Sequence, residues 1–134
     1  MAYSNGTFLA TPIPSIPEAT TFVDGTDFNS KPLEIYSQWD QIGVICEVTG
    51  GVAGCALAVH FSFQVSIDGV IWVPWDGTDP VVVTMVGTTT IRAGDVGAFR
   101  GCRYMRLYTV ENNEAVAGRT ATLVQVYWGR PWVI

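Results

Sequence analysis

The residues of this chain whose types lend themselves to chemistry are one histidine, three cysteines and two similar acidic turns. His60 is the only histidine in the sequence, so spacing offers neither a Ser-His-Asp relay nor a histidine-based metal site. It stands on the polar side of the alternating run CALAVHFSFQVS, the position of a solvent-facing or hydrogen-bonded residue, and its special role would be an interface contact. Cys46, Cys55 and Cys102 are odd in number and lack C-x-x-C spacing. That pattern speaks against a disulfide framework or a thiolate zinc site and for buried free thiols. The alternative is a Cys46–Cys55 cross-strand bridge, since both flank the turn-like VTGGVAG. Asp24 and Asp27 in VDGTDF, and Asp76 and Asp79 in WDGTDP, resemble calcium loops or carboxylate pairs. Asp-Gly and Asp-Pro contexts, however, use the carboxylate to bond nearby backbone in tight turns, and the distal Glu of a calcium loop is absent. A glycosidase needs two carboxyls about 5 to 9 Å apart, a pairing that one sequence does not supply. The expectation is a protein without catalytic residues, metal or cofactor.

Aromatic residues offer another chemistry. Trp72, Trp75, Trp128 and Trp132, with Tyr127, could build a platform on which sugar rings stack, although core and interface packing is the commoner use of such residues. Trp72 and Trp75 have opposite parity on one strand unless Pro74 forces a bulge, so both would not face one ligand. The ending WGRPWVI is apolar and lacks a closing charge pair, which makes Trp132 a candidate contact with a partner.

The elements that must position these residues follow from composition and period. The chain of 134 residues suits one domain; 49% of it is apolar and only 14% charged, which excludes a disordered body. A net charge of −5 with Lys31 as the sole lysine argues against nucleic acid as a partner. No run of about 18 apolar residues suggests a membrane span, and the N-terminal segment has no signal-peptide pattern, so synthesis in a cytosol is expected. Residues 1–30 carry Pro12, Pro14 and Pro17 and read as an extended arm. Phe8, Leu9, Ile13, Ile16 and Phe22 are more apolar than a solvated tail needs, so the arm should dock on its own domain, a neighbouring subunit or a scaffold.

From 31 to 134 the period is two. Leu57, Val59, Phe61, Phe63 and Val65 fall on one strand face, with Ala58, His60, Ser62, Gln64 and Ser66 on the other. Ile42, Val44, Cys46 and Val48 share a face in QIGVICEVT, and the two runs read as an antiparallel hairpin across TGGVAG. Further strands are expected at 69–75, 80–86, 88–93, 103–110 and 119–128, with a possible edge strand at 32–37. No helical stripe appears. The fold class is all-β: an antiparallel β-sandwich or jelly-roll-like domain of about seven or eight strands with an extended N-terminal arm.

The run FQVSIDGVIWVPW, followed by RYMRLYTV and TATLVQVYW, resembles two groups of β-sandwich proteins over roughly residues 60–128. In discoidin-like domains an S-x-D-G-x-x-W hairpin precedes an R-Y-aliphatic-R-L strand; here these are Ser66, Asp68, Gly69 and Trp72, then Arg103, Tyr104, Met105, Arg106 and Leu107. The second group comprises small structural proteins of tailed bacteriophages, such as capsid decoration (cement) proteins and tail components. Physically, Asp68-Gly69 should make the turn, Trp72 should pack in the core, and Tyr104 and Arg106 should share a face opposite Met105 and Leu107.

The apolar arm, the missing secretion signal and the Thr/Gly/Val-rich body favour the phage group. The resemblance then implies a non-enzymatic decoration protein on the capsid surface, bound to the major capsid protein and to copies of itself, with a trimer expected. Candidate contacts are Phe8, Leu9, Ile13 and Ile16 of the arm, His60 and Gln64 (with Ser62) or Tyr104 and Arg106 of the strands, and Trp132. The alternatives are a carbohydrate-binding or host-adhesion module and a tail-tube or head–tail connector subunit.

Overall fold

The computed structural model describes residues 5–35, 39–75, 81–99 and 101–130, and its regular elements are all β-strands. They are β1 (Asn5–Thr7), β2 (Ile13–Ile16), β3 (Thr20–Val23), β4 (Leu33–Glu34), β5 (Gln41–Gly50), β6 (Ala58–Ser66), β7 (Val73–Pro74), β8 (Val81–Thr84), β9 (Thr90–Ala98), β10 (Tyr104–Asn112) and β11 (Ala121–Gly129). Every strand pairing is antiparallel. In the first sheet β9, β5 and β11 lie side by side, and β1 and β2 share the far edge of β11. In the second, β6 and β10 form the centre, β3 and β4 line the far edge of β10, and β7 and β8 line that of β6. The sheets pack face to face as a sandwich.

Alternation explains which faces meet. Ile42, Val44, Cys46 and Val48 of β5 are buried, and across the core Val59, Phe61, Phe63 and Val65 of β6 answer them. Met105, Leu107 and Val110 from β10 and Leu123 and Val126 from β11 complete the interior. Each such side chain contributes about 1.5–3 kcal/mol by leaving water. The expected β5–β6 hairpin is not formed: the two strands sit in different sheets, β5 between β11 and β9, β6 between β10 and β7/β8. Their buried faces look at each other across the sandwich, and alternation specifies a strand's face but not its neighbour. Leu57, expected on the buried face of this run, precedes β6 and is exposed.

The N-terminal segment lies on its own domain. β1 and β2 extend the first sheet, the chain crosses at 17–19, and β3 and β4 extend the second. Pro14 is accommodated because β2 is an edge strand with no outer partner requiring its N–H. Where the segment leaves regular pairing at Leu9, the Gln125 side chain takes over: its Oε1 accepts the Leu9 N–H at 3.2 Å and its Nε2 donates to the Leu9 carbonyl at 3.1 Å. Phe8 packs against Phe63 with the rings tilted and their centroids 5.5 Å apart, and Phe63 meets Trp75 edge-on at 5.6 Å.

A buried polar cluster joins the two sheets near the crossing. The Asn112 Nδ2 donates to the Ile16 and Arg119 carbonyls, each at 3.0 Å, and its Oδ1 accepts the Glu114 N–H. The Glu114 carboxylate is fully buried; its Oε2 accepts the Ala56 and Leu57 N–H groups at 2.8 and 2.6 Å, and Oε1 faces Arg119 at 3.5 Å. Burial alone would raise its pKa, but the two backbone donors and the Arg119 guanidinium outweigh that and hold the carboxyl below its ordinary range. Ala19, with φ at 51°, donates its N–H to the Glu114 carbonyl, so the crossing is tied to the same cluster.

Candidate functional site

The outer face of the second sheet gathers the strand residues expected at an interface. Gln64 and Arg106 are direct cross-strand partners, and the guanidinium donates to Gln64 Oε1 from Nε at 2.9 Å and from Nη2 at 2.7 Å. It lies 4.2 Å from the centre of the Trp72 ring, with Asp24 at 3.9 Å. A β-bulge between Leu107 and Thr109 leaves Tyr108 as the extra residue, its ring 5.8 Å from the same guanidinium. Ser62 and Thr109 join hydroxyls across the pair, and His60 lies between Glu111 of β10 and the exposed Val82 of β8. Tyr104 follows on the same face, opposite Ser66, with its hydroxyl donating to Glu34 at 3.1 Å. The two candidate contact groups, His60/Gln64 and Tyr104/Arg106, are thus one continuous surface, and Met105 and Leu107 point the other way into the core.

Two tryptophans exchange the places expected of them. Trp72 is half-buried on the outer face beneath Arg106, whereas Trp75 is buried, its indole N–H donating to the Ala98 carbonyl at 3.1 Å. Val73 and Pro74 pair with Val65 and Gln64, which turns the next residue inward onto Phe63. Trp128 is half-buried against Trp39, at 6.1 Å between centroids, so no row of open rings forms among the described residues. Phe8, Leu9, Ile13 and Ile16 are buried within the chain's own core, covered by β11 and the second sheet rather than offered to a neighbour. Trp132, Asp76, Asp79 and the end of the expected 32–37 strand lie outside the described residues.

The turn after β6 carries the three most exposed large aliphatic side chains among the described residues. Asp68 Oδ1 accepts the Val70 and Ile71 N–H groups, both at 2.9 Å, and the Ser66 hydroxyl at 3.1 Å. Ser66 Oγ in turn accepts the Gly69 N–H and bonds the Ile71 carbonyl at 2.6 Å. Gly69 takes the positive φ, 77°, that the turn requires. The bonds from Ile71 and Val70 hold the Asp68 carboxyl below its usual pKa, so it is ionised at neutral pH. This network fixes a loop whose aliphatic chains point into solvent: Ile67, Val70 and Ile71 are 72, 79 and 70% exposed.

On the opposite side of the sandwich, the outer face of the first sheet carries an open groove of about 900 Å³. Gly43 and Gly94 lie in its floor, and Ile45, Val96 and Tyr127 wall it while 47, 49 and 39% exposed; Arg130 stands at its edge. The sequence reading placed a turn at Asp68-Gly69 but singled out neither its exposed aliphatic residues nor the groove. The available signals were apolar residues on both sides of Asp68-Gly69 in SIDGVI and a glycine interrupting the alternation of QIGVICEVT.

Among the described residues no three His, Cys, Asp or Glu side chains come together as metal ligands. Asp24 and Asp27 serve the turn they flank, accepting the Ser30 and Val23 N–H groups at 2.7 and 2.8 Å. Cys46, Cys55 and Cys102 are free thiols, and burial pushes the Cys46 and Cys102 pKa values up, which favours the unreactive protonated form. Comparison with protein-family models and with curated proteins finds no match to this chain.

Proposed function

We propose that the chain is a non-enzymatic structural subunit of a tailed-bacteriophage particle, a capsid decoration protein that binds the major capsid protein through the outer face of the second sheet. The observation that carries this reading is the fixed Arg106, held by Gln64 and sandwiched near Trp72 and Tyr108 on an open sheet face. Arg, Trp and Tyr dominate the energetics of protein interfaces, and side chains already held in place lose little entropy when a partner arrives. An interface near the usual 1,600 Å², repeated over a shell, stabilises it without any single strong site. The sequence resemblance supplies the class of particle; the enclosure of Trp75 weighs against a sugar-stacking platform.

The test is co-sedimentation of the purified chain with phage heads that lack it. Saturable binding is expected, with Arg106→Ala lowering affinity at least about tenfold, the effect of losing one interface anchor. Absence of binding to heads would overturn the reading. Binding to a glycan array that Trp72→Ala abolishes would replace it with a carbohydrate-binding role, and long hollow tubes in electron micrographs would replace it with a tail-tube subunit.

A further inference from the structure

We propose that copies of this chain associate head to tail, the aliphatic turn 67–71 of one subunit seated in the glycine-floored groove on the first sheet of the next. The inference rests on the reading of the chain as an assembly subunit and names the surfaces by which it meets its own copies. The groove lies on the other sheet from the Arg106 face, whereas the turn borders that face at Tyr104 and Trp72, so variants of the groove are the ones that separate the two contacts.

The first argument is Gly43. Glycine inside a strand costs about 0.5–1 kcal/mol relative to a residue with a side chain, so its presence needs a reason. Gly94 has a local one, because a Cβ there would run into the Val44 carbonyl. Gly43 has none: its φ lies outside the left-handed region, and an added Cβ would meet only ordinary contacts, the Gly129 carbonyl and Val96 Cγ2 at 3.6 Å and the Asp95 carbonyl at 3.8 Å. What its missing side chain achieves is an open groove.

The second argument is complementarity. The turn presents three aliphatic chains held in one shape by Ser66 and Asp68, and the groove presents aliphatic and aromatic walls. Each apolar surface is exposed in the isolated chain, and burying both is favourable in proportion to the area removed from water. The turn carries one charge, the ionised Asp68, and the groove edge carries Arg130. Asp95 also lines the groove, but on β9 and so across β5 from Arg130, which leaves the Arg130 end as the one that complements Asp68.

The third argument is geometry. The turn belongs to the second sheet, while the groove is on the outward side of the first, so the pinned turn cannot fill the groove of its own chain. A contact between two different patches is heterologous: every subunit donates one turn and receives another, and identical contacts close a ring when the rotation allows.

Light scattering after size-exclusion chromatography tests this with two variants. Ile71→Asp puts a charge on the turn while leaving the backbone bonds of Ile71 intact, and Gly43→Leu builds into the groove from a position whose Cβ meets only ordinary contacts. Wild-type chain is expected to be oligomeric and each variant monomeric. An equimolar mixture of the two is expected to give a heterodimer and nothing larger, because one intact turn meets one intact groove. Val96→Asp, on the exposed edge strand β9, repeats the groove test should Gly43→Leu not fold. A monomeric wild-type chain, oligomers that survive Ile71→Asp, or a mixture that stays monomeric would each overturn the proposal. Association that withstands Ile71→Asp but disappears when residues 131–134 are removed would assign the groove to the C-terminal tail. Head binding by the Gly43→Leu monomer reports separately on the Arg106 face, which lies on the other sheet.

Discussion

The two ends of β6 are built with the same device and put to opposite uses. Before the strand, Glu114 accepts the N–H groups of Ala56 and Leu57; after it, Asp68 accepts those of Val70 and Ile71. Glu114 is fully enclosed, backed by Arg119 and linked through Asn112 to the Ile16 carbonyl. Asp68 is in water, and what it organises is a loop of exposed aliphatic side chains. A carboxylate that is itself enclosed maintains the fold, because its removal leaves the donors it capped and the Arg119 charge without their partner; one that lies in water maintains the shape of a surface.

The sharpest way to break the comparison is Glu114→Ala, which strands two N–H groups and the Arg119 charge and should cost about 3 kcal/mol in urea denaturation. A cost as small as that of an ordinary surface substitution would remove the distinction between the two ends. Next in size is the pH dependence. The Glu114 carboxyl is held below the ordinary 4.5 in the folded chain, so its contribution is fully present above the unfolded value and is lost as pH falls through the folded one. The stability gap between wild type and Glu114→Gln should therefore narrow on acidification below about pH 4.5. A gap that widens there would contradict the assignment. Asp68→Ala should leave the urea midpoint in place yet weaken self-association and speed amide exchange across 67–71. The smallest effect belongs to the crossing that reaches the buried cluster: Ala19 holds a left-handed conformation, and Ala19→Gly should stabilise the chain by about 0.5–1 kcal/mol, read as a raised urea midpoint.

Alternation in the sequence announced the strands of the core and their buried faces, since Ile42 to Val48 and Val59 to Val65 each point inward at every second residue. It did not announce partners. A period of two is satisfied equally by a hairpin and by a step between sheets, which is why β5 and β6 were expected side by side. The strands β1, β2 and β3 were hidden by prolines and by shortness, because edge strands need few backbone bonds and tolerate Pro14. Of the candidate site, His60, Gln64, Tyr104 and Arg106 were legible as outward residues, but their union on one face depended on the β6–β10 register and on the bulge at Tyr108. Phe8 and Ile16 show the converse: their apolar character signalled burial, and only the fold says that the burial is within the chain itself.

The most direct measurement is amide hydrogen exchange followed by mass spectrometry at two protein concentrations, one dilute enough for monomers and one promoting association. The expected result is added protection at high concentration in peptides covering 67–73 and the groove strands around 43–45 and 94–96, with exchange around 54–58 and 112–119 the same at both concentrations. Concentration-dependent protection confined to 54–58 and 112–119, or none anywhere, would contradict the division of labour between the two ends of β6.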